Sequence, residues 1–328
     1  MVSLDWQRFF SQHGIEYVST GPNVARGHIN IRCPLCRDDP SHHMGLDLDT
    51  GFWGCWRNSN HRGRKPYYLI QILLRCSMAE ARRLAGDRDT PLGQFDATIA
   101  ALRGPVTANP VAQPATMSLP PNARLVDGDT AHHTYLRSRG FGVDTTSVIG
   151  TYNLHYCITG FWTGRIIFPI YESGLVAWTA RTISSFQSRR YLTTTTDPEE
   201  AKKHGIGIAL RKPNDTLYLY DNWIGGGKKL FVTEGPLDAL KIDYYGKAFG
   251  CRATCLFTSS ISERQRYLLA SVADRFDEIF FMLDSGMYLK ACEMACEVPA
   301  SNVSVMDVLP SFGDPGDYTK EVVLSLVK

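Results

Sequence analysis

Cys33, Cys36, Cys55 and His61 are the residues of this 328-residue chain whose types and spacing point most directly to chemistry. They stand as Cys-Pro-Leu-Cys, a long insert, then Cys-Trp-Arg-Asn-Ser-Asn-His. Two close pairs separated by a loop assemble a tetrahedral Zn²⁺ site. Each tight knuckle supplies ligands, and the insert folds back to bring the knuckles together. The insert has the pattern for this. Met44 to Asp49 alternates apolar with small or acidic residues, and Asp49-Thr50-Gly51 reads as a turn into Phe52-Trp53-Gly54-Cys55. That is a hairpin carrying the second knuckle, as in a zinc ribbon. Three thiolates and a neutral imidazole leave the site with net negative charge, while Arg57, Arg62, Arg64 and Lys65 make its surroundings basic. His42 and His43 are rival ligands, but they lie mid-insert, where a ligand would break the two-knuckle geometry. Buried free cysteines beside a surface histidine are the competing explanation, and this spacing next to a hairpin is hard to reach by chance.

A second set is acidic: Glu234, Asp238, Asp284, Asp314 and Asp317. The last third of the chain alternates strand and helix. Strands are expected at Leu230 to Thr233, Ala253 to Phe257, Ile279 to Leu283 and Val303 to Val305. Helices follow from Pro236, from Ser262 and through Lys290. This pattern predicts a doubly wound parallel sheet covered by helices. Active groups in such sheets gather at the carboxyl ends of strands. Glu234 and Asp284 fall at two of those ends, Asp238 on the first turn of a helix, and Asp314 and Asp317 in the loop after the last strand. Like charges gathered at one edge need a compensating cation, and hard oxygen ligands favour Mg²⁺ or Mn²⁺. Each Asp alone also has an innocent use as a helix N-cap.

These two sets must be positioned by separate units. Residues 1–86 read as a zinc-binding domain, with a short helix from Ser3 to Phe10 before the ribbon. Helices at Tyr67 to Leu74 and Ser77 to Leu84 follow it. Residues 87–122 carry Pro91, Pro105, Pro110, Pro114, Pro120 and Pro121 among Ala, Thr and Gly. This composition predicts a linker that would let the zinc module swing. Residues 123–227 read as a basic α+β subdomain, with a helix from Ala131 to Arg139. It has strands at Gly164 to Ile170 and Leu175 to Arg181. Arg165, Arg181, Arg189, Arg190, Lys202, Lys203, Arg211 and Lys212 lie along it, interleaved with Tyr191 and Tyr218. Each could be a solvated surface residue; as a set they suit a face that tracks phosphates. Residues 228–328 form the parallel-sheet domain. The fold class is therefore multidomain, α/β and α+β.

Net charge is +2, which argues neither for nor against nucleic acid, so the case rests on local patches. The nine cysteines are mostly unpaired in spacing, which suits a reducing compartment, and the expected location is the cytoplasm. No apolar run approaches a membrane span, and the N-terminus lacks signal-peptide form. Gly225-Gly226-Gly227-Lys228 lacks the spacing and the hydroxyl of a phosphate-binding loop and reads as an ordinary turn. Cys251 with Cys255, and Cys292 with Cys296, read as buried packing.

The stretch Leu230 to Ala239, with Thr233-Glu234-Gly235-Pro236-Leu237-Asp238 at its centre, resembles the first motif of Toprim domains. These occur in bacterial DnaG-type primases, topoisomerases, some nucleases and recombination proteins. Phe281-Met282-Leu283-Asp284-Ser285-Gly286 falls where that family's Asp-x-Asp motif belongs. Gly313-Asp314-Pro315-Gly316-Asp317 resembles the acidic motif that closes the primase version. The front end resembles the zinc-binding domain of the same primases, especially the phage forms. The middle resembles their polymerase N-terminal subdomain through Gly164-Arg165, Arg181 and Arg190-Tyr191-Leu192.

The resemblance covers nearly the whole chain in the primase domain order. It implies a DNA primase that makes short RNA primers on single-stranded DNA by metal-dependent nucleotidyl transfer. It implies structural Zn²⁺ on the ribbon and catalytic Mg²⁺ or Mn²⁺ on Asp284, Asp238 and Asp314, with Asp317 beside them. Glu234 would ligate metal or act as general base. Arg165, Arg181, Arg190, Lys203 and Lys212 would grip template and nucleotide phosphates. Trp53 and Trp56 would be ribbon core or base-stacking contacts. The partners implied are single-stranded DNA, ribonucleotides and a separate replicative helicase, with no membrane. One position departs from the family: the second Asp of Asp-x-Asp is Gly286, which has no side chain to ligate a cation. That departure favours a second reading, a non-catalytic DNA-binding protein resembling recombination mediators. A Toprim nuclease is a third, but it needs no zinc ribbon.

Overall fold

The computed structural model describes residues 4–36, 38–87, 117–206, 208–309 and 311–328. Most of the expected linker at 87–122 lies outside the described residues. No helix among the described residues is long and apolar enough to cross a membrane.

The first sheet is antiparallel, in the order β1 (Tyr17–Val18), β2 (His28–Ile31), β3 (Met44–Asp47), β4 (Trp53–Cys55) and β5 (Arg62–Gly63). The expected hairpin is β3–β4, with Met44 opposite Cys55 and Leu46 opposite Trp53. The sheet packs on helix Trp6–His13, which Asp5 caps by accepting from the Arg8 N–H. Trp6, Phe10, Ile29, Ile31, Met44, Leu46 and Trp53 are all at most 2% exposed. The ribbon therefore has an apolar core beside its knuckles. Trp53 belongs to that core, whereas Trp56 is 69% exposed.

The second sheet is antiparallel, in the order β10 (Tyr191–Thr193), β9 (Leu175–Thr182), β8 (Arg165–Tyr171), β7 (His155–Cys157) and β6 (Ala123–Leu125). The two strands expected from sequence are β8 and β9. Their inner residues are buried, with the short helices Tyr220–Trp223 against β8 and Pro213–Asp215 against β9. The helix expected through Arg139 stops at Leu136 and opens into a wider turn, Arg137–Phe141. Gly140 takes φ 87° inside that turn, which carries Arg139 out of helical register and toward the third sheet.

The third sheet is parallel throughout, in the order β12 (Cys251–Cys255), β11 (Gly227–Thr233), β13 (Phe276–Phe281) and β14 (Val303–Val305). Leu230, Phe231 and Val232 of β11 are fully buried, each contributing about 1.5–3 kcal/mol by leaving water. From β11 the chain steps first to β12 on one side, then to β13 and β14 on the other. The strand order reverses between β11 and β13, and the crevice at the carboxyl ends of that pair is where open α/β sheets place their ligands.

Helix Pro66–Leu74 docks on the edge strand β14. Gln71 Nε2 donates to the Val305 carbonyl at 3.0 Å, and the Tyr288 hydroxyl donates to the Tyr68 carbonyl at 3.2 Å. The first unit thus covers an edge that would otherwise expose unpaired backbone groups.

Candidate functional site

The knuckle residues converge. The ligand atoms of Cys33, Cys36, Cys55 and His61 all lie within 4.8 Å of one another. Cys36 Sγ is 3.7 Å from Cys55 Sγ, and His61 Nδ1 is 3.4 Å from Cys36 Sγ and 3.5 Å from Cys33 Sγ. A tetrahedron with Zn–S near 2.3 Å and Zn–N near 2.0 Å has S···S edges of about 3.8 Å and S···N edges of about 3.5 Å. The donor set therefore fits Zn²⁺ in both chemistry and spacing. Burial pushes the Cys33 and Cys36 thiols up and pulls the His61 imidazolium down, so the histidine is held in its neutral, ligating form. The Asn58 amide sits 3.1 Å from His61 Nε2 and orients the ring.

One supporting residue is not legible from spacing. Asp39 accepts from the backbone N–H of Cys33 at 2.6 Å, of His43 at 2.8 Å and of Ser41 at 3.2 Å, and it pairs with the His43 ring. Those bonds hold its carboxyl at about 2, against the opposing effect of burial. His43 is engaged by Asp39, and neither His42 nor His43 joins the cluster.

The acidic residues gather at the switch point of the parallel sheet. Met282 N–H donates to the Val232 carbonyl at 2.9 Å, which brings the chain leading to Asp284 alongside that leading to Glu234. Asp238 is 7% exposed, and its Oδ2 accepts from the Gly235 N–H at 3.0 Å. It therefore does cap its helix, as the innocent reading allows. Its Oδ1 faces the closing loop. A Cβ on Gly316 would stand 2.5 Å from Asp238 Oδ1 and 3.0 Å from Asp314 Oδ1, so only glycine lets that loop approach the carboxylates.

The carboxyls act on one another. Burial, then Asp314 and Asp284, push Asp238 up to about 7. Burial, then Glu234 and Asp314, push Asp284 up to about 6. Glu234 is raised by burial, with Arg190 opposing. Asp284 Oδ1 and Asp314 Oδ1 are buried without a hydrogen bond. Repelling carboxylates with orphaned oxygens fit a divalent cation. Among the described residues, however, the Cys₃His set is the one group of three or more His, Cys, Asp and Glu whose ligand atoms converge as for an ion. Gly286 takes φ 82° with nothing within 4 Å of where its Cβ would be.

Two arginines reach this edge from the second unit. Arg190 Nη2 is 4.0 Å from Asp314 Oδ2. Arg139 Nη2 is 3.1 Å from Asp317 Oδ1 and 3.7 Å from Asp314 Oδ1. Behind them Lys241, 1% exposed, donates to the carbonyls of Arg139 and Tyr318. Burial lowers its ammonium to about 8, with Arg139 adding to the shift. Sequence reasoning gave neither Arg139 nor Lys241 a part in the site. The only signals were an Arg-Gly at a helix end and a lysine three residues after Asp238.

The other expected phosphate contacts separate. Arg181 is buried, and its guanidinium donates to the hydroxyls of Tyr135 and Tyr191 at 2.7 Å each. Arg165, 4% exposed, donates to the carbonyls of Arg189 at 3.0 Å, Ala180 at 3.3 Å and Arg190 at 3.4 Å. Lys203 and Lys212 are exposed. A cavity of about 380 Å³ has Cys36, Asn58 and His61 on one wall and Ser285, Gly286 and Asp307 on the other; none of the five acidic residues lines it.

No protein-family model and no curated protein matches the chain. Among solved structures it is similar to the primase fragment of the bacteriophage T7 primase-helicase protein. That match has 19% identity, covers 66% of this chain and 78% of that one, and has a TM-score of 0.43. It is also similar to the zinc-binding and RNA polymerase domains of the Aquifex aeolicus primase, at 14% identity over 99% and 82% of the two chains, with a TM-score of 0.42. A third similarity is to the RNA polymerase domain of the Mycobacterium tuberculosis primase DnaG, at 16% identity over 81% and 80%, with a TM-score of 0.38.

Proposed function

We propose that this chain is a DNA primase that joins ribonucleotides on a single-stranded DNA template. The observation that carries the reading is the switch-point cluster. Glu234, Asp238, Asp284 and Asp314 come from three segments of the chain, two of them hold buried oxygens without a hydrogen bond, and Arg190 stands at their rim. In the reaction the 3′-hydroxyl of one ribonucleotide attacks the α-phosphate of the next, and pyrophosphate leaves. Mg²⁺ or Mn²⁺, when bound, neutralises the phosphate charge and lowers the hydroxyl's pKa. Asp238, Asp284 and Asp314, with Asp317 beside them, hold the cation. Glu234 either joins them or accepts the hydroxyl proton. Arg190 grips a phosphate, Arg181 and Arg165 support it from beneath, and Lys203 and Lys212 extend the phosphate-binding face. The Cys₃His ribbon, with Zn²⁺, contacts template bases, and a separate helicase supplies the unwound strand. The units assigned are a zinc-binding domain at 1–86, a linker at 87–122, a basic subdomain at 123–227 and a Toprim domain at 228–328.

A second reading keeps its own observation. Gly286 offers no ligand, and the carboxylate oxygens are not drawn into one coordination shell. Both features suit a zinc- and Toprim-containing protein that binds single-stranded DNA without catalysis. The deciding experiment incubates the full chain with single-stranded templates and labelled ribonucleotides across Mg²⁺ and Mn²⁺ concentrations. Short oligoribonucleotides are expected. No product under any condition, also with Gly286→Asp, while DNA binding persists, establishes the binding protein instead.

A further inference from the structure

The hairpin loop between β9 and β10 ends in Phe186, which is 97% exposed. One exposed phenyl by itself needs no explanation. This one is held out by a loop that is tied down. Thr182 N–H donates to the Arg190 carbonyl and Ile183 N–H to the Gly164 carbonyl, each at 3.0 Å. Ser184 N–H donates to Thr182 Oγ1 at 3.0 Å, and Phe186 N–H to Ser184 Oγ at 3.2 Å. Beneath the loop, the buried Arg165 guanidinium holds the carbonyls of Arg189 and Arg190. With its base fixed in this way, the loop presents the ring to solvent.

What flanks the ring is of one charge. Between Ile183 and Thr196 the chain has Arg189 and Arg190 and no carboxylate. Arg190 leads directly to the acidic edge. A second aromatic lies next to the loop. The turn Gly160 to Thr163 carries Phe161, 47% exposed and stacked on His204 with ring centroids 4.2 Å apart. His204 ends helix Pro198–Lys203, whose first turn holds the exposed Glu199 and Glu200 and whose last turn, next to His204, holds the exposed Lys202 and Lys203. The two loops meet at Gly164, where a Cβ would stand 3.6 Å from the Gln187 amide nitrogen.

We infer that Phe186 and the Phe161–His204 pair are stacking platforms for unpaired bases of single-stranded DNA, whose phosphates run past Arg189, Arg190, Lys202 and Lys203 toward the acidic edge. This deepens the nucleic-acid reading above and rests on it. Alternating π-faces and cations bind a single strand without regard to its sequence, because every base offers a face and every nucleotide a charge. An arginine-flanked aromatic also suits a protein interface. The two arginines beside Phe186 and the approach of Arg190 to the carboxylates favour the strand.

The test uses the full-length chain and a fluorescein-labelled oligothymidine, read by anisotropy over a salt series. Phe186→Ala lowers affinity about 5- to 150-fold, the range that one stacked base carries. It leaves the salt slope unchanged, because no cation is removed. An oligonucleotide with abasic sites binds wild type and Phe186→Ala alike. Phe186→Trp keeps the affinity, and its fluorescence is quenched when the strand binds. Parental affinity in Phe186→Ala, with normal binding by wild type, overturns this inference alone and leaves the loop to a protein partner. The same loss on the abasic oligonucleotide overturns the stacking role. Absence of any binding by wild type overturns this inference and the nucleic-acid reading together.

Discussion

The Cys₃His cluster and the carboxylate edge assemble in opposite ways. The cluster draws four ligands from two knuckles close in sequence, and its sulfur and nitrogen atoms already stand at the spacing an ion needs. The edge draws its carboxylates from residues 234 to 317, and Arg139 and Arg190 stand against two of them. The difference is electrostatic. Protonated thiols and a neutral imidazole repel one another little, so packing can close the site before metal enters. Carboxylates repel at close range, and at this edge that repulsion adds to burial in raising Asp238 and Asp284. The soft-ligand site is thus closed by local spacing, while the hard-ligand site is open at Gly286 and flanked by arginines.

The largest effect that would break this comparison is at the closed site. Cys36→Ala should take zinc from one per chain to none, because structural Zn²⁺ binding is worth about 10–16 kcal/mol and depends on all four ligands. Elemental analysis checks it. The ribbon's apolar core and its hold on β14 should keep the parallel sheet folded, so circular dichroism of the variant should keep most of its helical signal. Retained zinc would show that the knuckles are packing cysteines.

At the open site, Glu234→Gln or Asp284→Asn should lower primer synthesis about 10³-fold, the several kcal/mol of charge stabilisation that a held cation supplies. Single-stranded DNA binding should persist in both. Activity within a few-fold of the parent would remove the edge from the chemistry.

Gly286→Asp sharpens the contrast. The position is left-handed, a conformation that Asp adopts more readily than most residues, and nothing fills the space its side chain would enter. One added carboxylate should tighten Mn²⁺ binding about 10-fold, since ligand charge count sets the affinity of oxygen sites. Isothermal titration with Mn²⁺ reads this directly; an unchanged affinity places the side chain outside the site.

The smallest effects separate two arginines that the sequence treats alike. Arg190→Ala should lower the slope of log affinity against log salt by about 1, as for one lost phosphate contact. Arg165→Ala should act on the fold instead. Leaving buried carbonyls unpaired costs about 1–3 kcal/mol, seen as a lower Tm. Equal salt slopes in the two variants would undo the distinction between a rim residue and a buried one.

Much of the architecture was legible because it is short-range. The Cys and His spacing announced the cluster, the alternation of Met44 to Asp49 the hairpin, and the run Leu230 to Thr233 a buried parallel strand. Pairing in the sheet starts β11 at Gly227, β12 at Cys251 and β13 at Phe276, two or three residues before their apolar runs, while β12 and β13 end at Cys255 and Phe281, before the expected Phe257 and Leu283. Glu234 and Asp284 could be placed at strand ends from sequence alone. Their adjacency depends on the order β12-β11-β13-β14, which places the switch point between their strands.

The sequence by itself determined the zinc ligand set, the alternation of elements and the acidic residues at the ends of buried strands, since each follows from spacing within about ten to thirty residues. Only the tertiary structure decided which cations meet those acids. It buried Arg165 beneath its own loop, held Arg181 on two tyrosines and brought Arg139 to Asp317. It placed Lys241 behind them and set the knuckle wall opposite Gly286. Those contacts join residues up to more than two hundred positions apart, as in Tyr288 with Tyr68. No local pattern encodes them, because the free energy that selects them comes from packing the three units against one another through their helices and turns.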